Sequence, residues 1–145
     1  MKTEIINTRT IASYSADLLA EHPVLYCKLE KVVTDDITPD ELLIEVIKFM
    51  YLVSKFEVKL SPSKVVDYAW HEFILFTKLY ENFCKEKLGK FIHHTPDEDK
   101  IRNNRNFFKT IQHYIQLFGK PPVKIWGEMS NSEWEDSQCG SCKSN

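Results

Sequence analysis

Apolar and polar positions alternate along this chain at helical rather than strand spacing. Residues 10–20 predict a first helix that stops near His22-Pro23, and residues 24–33 predict a second, shorter one. Thr38-Pro39-Asp40-Glu41 marks a helix start: Thr38 caps, Pro39 takes the first helical position, and Glu41 completes a capping box. At about 100° per residue, Leu42, Leu43, Val46, Ile47, Phe49, Met50 and Val53 share one broad face, and Glu41, Glu45, Lys48 and Lys55 fall on the other. Ser61-Pro62 opens another helix, which the pattern carries through Lys87-Leu88 to a left-handed cap at Gly89. A last long helix begins near Pro96-Asp97, carries Ile101, Phe107, Phe108, Ile111, Tyr114, Ile115 and Phe118 as its stripe, and ends before Gly119. Pro121-Pro122 forbids continuation. Residues 56–60 alternate like a strand but have no partner.

After Trp126 the apolar spacing fades, and residues 127–145 read as a flexible polar tail. The expectation is an all-α fold: one compact domain of four to five helices over residues 1–126, followed by that tail.

Composition narrows this further. A chain of 145 residues favours one domain, and its 43% hydrophobic and 28% charged content is ordinary for a globular protein. Four glycines are too few for a turn-rich β-sandwich. The net charge of −2 gives no basic excess to suggest nucleic acid or anionic lipid. No stretch approaches the roughly 18 apolar residues of a membrane span, and the N-terminus lacks the apolar run of a secretory signal. A cytoplasmic protein with reduced thiols is expected, so Cys27, Cys84, Cys139 and Cys142 do not read as a disulfide framework.

Candidate chemistry concentrates between Val66 and Pro96. Asp67 and His71 lie four apart, so a helix turns them the same way. A carboxylate beside an imidazole fixes its tautomer and leaves the second nitrogen for a metal or a proton. With His71 at zero on the helical wheel, Lys64, Asp67, Lys78, Asn82 and Lys85 lie within roughly 40°, on the side opposite Trp70, Tyr80 and Cys84. One straight helix therefore cannot offer His71 and Cys84 to the same ion.

His93-His94 follows by one short loop, and either histidine has the reach to fold back. Asp67 and His71 with His93 or His94 would form a zinc or iron site with an open coordination position. Lys64 and Lys78 argue against it by adding positive charge. Two other readings stand beside the metal site. In one, these residues make ordinary surface hydrogen bonds, with one histidine capping the helix end. In the other, they line a metal-free cleft.

In the tail, Cys139 and Cys142 form a C-x-x-C unit, half a zinc site at most, with no βαβ context for redox work. Cys27 and Cys84 read as small core residues, Trp70 and Trp126 as core, and His22 and His113 as solvent-facing. Residues 102–106 read as a solvated polar face. No phosphate loop, zincin, nucleophile-elbow or kinase motif is present.

Residues 66–77, with Tyr80, Phe83-Cys84 and the run from Gly89 to Pro96, resemble a small bacterial family described as glycine-rich domain-containing protein-like. They are also similar to a segment of the larger plant glycine-rich domain proteins, in which Val-Asp-x-x-Trp-His precedes a Tyr and later histidines. Thr110, Tyr114, Phe118-Gly119, Pro121-Pro122 and Ile125-Trp126 fit the bacterial pattern, so the resemblance covers residues 61–126. Asp67, Trp70, His71, His93 and His94 fall on its motif, which favours the Asp/His group as the site. The resemblance implies no defined activity. Some relatives end in Gly/Cys-rich tails, of which residues 139–142 would be a reduced version. Two functions remain in view: a metal-binding protein using Asp67, His71 and His93 or His94, and a non-catalytic module that binds an unknown protein partner through a helical surface or the cysteine tail.

Overall fold

The computed structural model describes residues 6–34, 36–95 and 98–138. Every regular element among them is helical: α1 (Thr8–Glu21), α2 (Pro23–Glu30), α3 (Pro39–Lys55), α4 (Lys64–Ile74), α5 (Thr77–Phe83), a π-helical turn (Cys84–Leu88), α6 (Lys100–Phe118), α7 (Val123–Trp126) and α8 (Glu128–Gln138). The all-α class matches the expectation. The count does not, because the described residues form eight α-helices where four or five were expected. None of them is long and apolar enough to cross a membrane.

The additional helices arise at three places. First, the long helix expected between Ser61 and Gly89 is interrupted at Leu75-Phe76, where Phe76 leaves the helical region at φ −85° and ψ 66°. Second, α6 ends at its Gly119 cap and Pro122 then starts α7, its carbonyl accepting the N–H groups of Ile125 and Trp126 at 3.1 and 2.8 Å. Proline has no N–H to lose at a helix start. Third, residues 128–138 form α8 where composition predicts a tail. Ser130 is fully buried there, and α8 rests on α6 and α7. Cys139 and Cys142 lie outside the described residues.

Local signals hold where they are strongest. Thr38 Oγ1 accepts the Glu41 N–H at 3.1 Å, with Pro39 opening α3. The Glu41 carboxylate, expected to complete the cap, instead pairs with Lys124 at 2.7 Å. Gly89 takes the left-handed conformation at φ 82°, open to glycine at no steric cost. α6 starts at Lys100 rather than near Pro96, with the Asp99 side chain capping the N–H groups of Ile101 and Arg102.

The middle helix, α3, packs against α1, α2, α4, α6 and the π turn, so nearly all of it from Leu42 to Leu52 is buried. Its assumed solvent face is covered as well: Glu45 is 3% exposed and Lys48 7%. Burial of two charges demands partners. Glu45 Oε1 accepts from Tyr114 Oη at 2.6 Å and from Trp126 Nε1 at 2.8 Å, and Glu45 Oε2 meets Lys48 Nζ at 3.2 Å. Lys48 Nζ also donates to Tyr114 Oη at 3.0 Å. Burial, reinforced by the Glu45 charge, keeps the Tyr114 phenol well above the ordinary tyrosine range, so it stays protonated and donates.

Three further side chains depart from expectation because tertiary neighbours cover or uncover them. Cys27 is exposed rather than core. Asn106, placed on the solvated face, is 5% exposed. His113 stacks on Phe56 with ring centroids 3.9 Å apart instead of facing solvent.

The interruption at Leu75-Phe76 has a tertiary cause. In one straight helix Trp70 and Tyr80 would stand about 15 Å apart along the axis. With the chain turned at Phe76, Trp70 Nε1 donates to Tyr80 Oη at 2.9 Å, and Tyr80 Oη donates to the Ile92 carbonyl at 2.6 Å. Buried indole and phenol groups need such partners, and one hydroxyl satisfies both neighbours. Burial holds the Tyr80 phenol far above its usual range, so it remains a donor. The relay ties α4 to α5 and fixes the segment that follows the π turn.

Two outcomes follow from these contacts. Glu45→Ala strands the buried Lys48 charge and should cost about 3–5 kcal/mol, read as a lowered urea midpoint; an unchanged midpoint would refute the role given to this carboxylate. Tyr80→Phe keeps the ring but leaves the Trp70 N–H and the Ile92 carbonyl unpaired, for a loss of about 1–3 kcal/mol. Amide exchange should then quicken at residues 92–94 before the rest of the domain.

Candidate metal centre

Helix α4 begins at Ser63, whose hydroxyl accepts the Val66 N–H. Its inner face buries Val66, Ala69, Trp70 and Phe73. Asp67 and His71 are therefore left on the outer face, one turn apart. From the far side of the π turn, the chain returns over this face. Ile92 is 1% exposed and anchored through its carbonyl to Tyr80. Side chains alternate along this segment: Ile92 and His94 turn inward, whereas Phe91 and His93 turn outward and touch each other with centroids 4.6 Å apart.

That alternation selects His94 rather than His93. His94 Nε2 lies 2.7 Å from Asp67 Oδ1 and 2.9 Å from His71 Nε2, and His71 Nε2 lies 3.8 Å from Asp67 Oδ2. One donor atom from each of the three residues falls within a 4.8 Å group. Of the four predicted ligands, Asp67, His71 and His94 converge, and His93 stays outside the cluster on the wall of the adjoining pocket. Cys84, freed in principle by the broken helix, remains a core residue. Its thiol sits among Tyr80 and Ile92, and burial pushes it above the usual thiol range.

The contacts of the cluster are demanding. Two imidazole Nε2 atoms 2.9 Å apart need a proton or a cation between them. The same His94 nitrogen also faces a carboxylate, and a single N–H cannot point along both lines. Donors around a tetrahedral ion with bonds of about 2.0–2.1 Å are separated by about 3.3 Å. The two contacts of His94 are shorter than that value, and the 3.8 Å contact of His71 runs to the other carboxylate oxygen, so the side chains would have to spread slightly around an ion. Two nitrogens with one carboxylate oxygen is a set that zinc and iron(II) accept.

Support for the cluster is rigid on one side and open on the other. The Trp70 ring backs His94 with centroids 4.4 Å apart, and Phe49 of α3 backs Trp70 at 5.2 Å. Side-chain exposure rises from 13% at His94 to 36% at Asp67 and 52% at His71. The open side leads into a pocket of about 500 Å³ with Val58, Leu60 and Trp70 on its apolar wall. Tyr80 touches none of the three donors, and helical-wheel reasoning put it on the wrong side of the helix. Only the fold reveals that it holds His94 in place, since no glycine or proline flags the turn at Leu75-Phe76.

No curated protein and no solved structure matches the chain. A family model described as UCP032817-like matches residues 8–119, which take in α1 to α6 and all three converging residues. Because the match spans most of its length, the chain belongs to the UCP032817-like family.

Proposed function

We propose that this protein binds one divalent transition-metal ion, zinc or iron(II), through Asp67, His71 Nε2 and His94 Nε2. The observation that carries this reading is the convergence of these donors from two separate segments, one donor atom of each lying within 4.8 Å of the others. Two supports stand behind it. Trp70, Tyr80 and the Ile92 carbonyl hold His94 against α4, so the approach of this donor to Asp67 and His71 is built by the fold. The resemblance to glycine-rich domain proteins, whose motif takes in Asp67, Trp70, His71, His93 and His94, also favours a site at this group.

Asp67 contributes the single negative charge among the three donors, and its Oδ1 lies 2.7 Å from the His94 Nε2 that would turn to the ion. His71, at the open edge, is the donor most able to adjust. An ion held by three protein groups keeps a position for an exogenous ligand and acts there as a Lewis acid.

Protein purified without chelator, or reconstituted with Zn²⁺, should carry about one equivalent of metal by elemental analysis. His71→Ala and His94→Ala should lose it. His93→Ala and the double variant Cys139→Ser/Cys142→Ser should keep it. Metal-free wild type, or full metal content in both the His71 and His94 variants, would refute the assignment. Uptake should weaken as the pH is lowered, because imidazole coordinates only when deprotonated and binding releases protons.

A further inference from the structure

The pocket beside the cluster has a chemical character of its own. It holds about 500 Å³, within the usual range for small-molecule sites. One end is formed by Asp67, His71 and His94. Its wall is apolar at Val53, Val58, Leu60 and Trp70. Asp67 is the only carboxylate among the described residues of its lining. That single negative charge is committed to the histidines and to the ion assigned above.

Lys64 stands one turn before Asp67 and two turns before His71 on the same face of α4, and it lines the pocket. It makes no ion pair among the described residues, although Asp67 is its i+3 neighbour. The Asp67 oxygens face His94 and His71 instead. Ser61 and Pro62, just before α4, line the same space. With an ion in place, an acidic protein of net charge −2 would thus carry a pocket lined by two lysines, Lys59 and Lys64, together with the ion and apolar surface.

We propose that this pocket binds a small organic oxyanion, a carboxylate or a phosphate monoester with a short apolar body. One oxygen takes the open position on the metal, Lys64 pairs with the anionic group, and the apolar body lies against Leu60 and Trp70. Lys64, which from the sequence counted against a metal site, here becomes the counter-charge for the ligand. This inference rests on the metal reading above, and its test separates the two.

Protein loaded with Zn²⁺, its metal content measured first, is titrated calorimetrically with phenyl phosphate, phenylacetate and neutral phenylacetamide. Wild type should bind at least one of the two anions and not the amide, and the anion that binds identifies the oxyanion class. Lys64→Gln should keep its equivalent of metal and bind that anion about tenfold more weakly, as expected for loss of a charge-assisted contact. In the Co²⁺-substituted protein the same anion should shift the visible spectrum. Metal-loaded wild type that ignores both anions, or Lys64→Gln that binds as well as wild type, overturns this proposal and leaves the metal site standing. Wild type that takes up no metal overturns both.

Discussion

A single carboxylate in the middle of α3 sets the arrangement of this protein. Glu45 is buried, and an ion there persists only with its oxygens saturated. Tyr114 from α6, Trp126 from α7 and Lys48 from α3 itself meet that demand. The geometry of one side chain therefore fixes where two other helices lie against the central one. The aromatic rings that gather around it pass the constraint on. Trp126 packs near Phe49 at 6.4 Å, Phe49 on Trp70 at 5.2 Å, and Trp70 on His94 at 4.4 Å. The candidate site is thus joined to the core through a continuous chain of tilted and edge-on ring contacts.

Trp70 is where core and site meet. Its ring serves as the floor beneath His94, and its N–H engages the Tyr80 hydroxyl. That hydroxyl in turn grips the Ile92 carbonyl, two residues before His94. The polar groups of this relay are buried, where an unmade hydrogen bond is expensive. The same cost that turns the chain at Phe76 thereby holds a histidine in place. A donor set held by such packing is preorganised, and binding then loses less free energy to ordering mobile groups.

The site is asymmetric in a way that suits exchange of ligands. His94 is enclosed, Asp67 intermediate, and His71 half-exposed at the edge of a pocket. A purely structural ion would be closed off on all sides by protein donors. Here the protein offers three donors and an open face. That face opens on a pocket that Lys64 and apolar side chains also line.

Helix propensity and capping are local, and the sequence alone determined what depends on them: the all-α class, the Thr38-Pro39 start of α3, the cap at Gly89 and the amphipathic face of α3. It also determined that Asp67 and His71 share a face, because i and i+4 positions do so on any helix. The tertiary structure decided the rest. No local signal marks the turn at Leu75-Phe76, since its cause is a hydrogen bond between Trp70 and Tyr80, ten residues apart. Glu45 and Lys48 look solvent-facing by period, yet α6 and α7 cover them through contacts 66 to 81 residues distant. The choice of His94 over its neighbour His93 was likewise invisible, because adjacent residues in a loop differ only in which way the anchored backbone turns them. Periodicity reports which face a residue occupies; what lies across from that face depends on long-range burial of polar groups that must find partners.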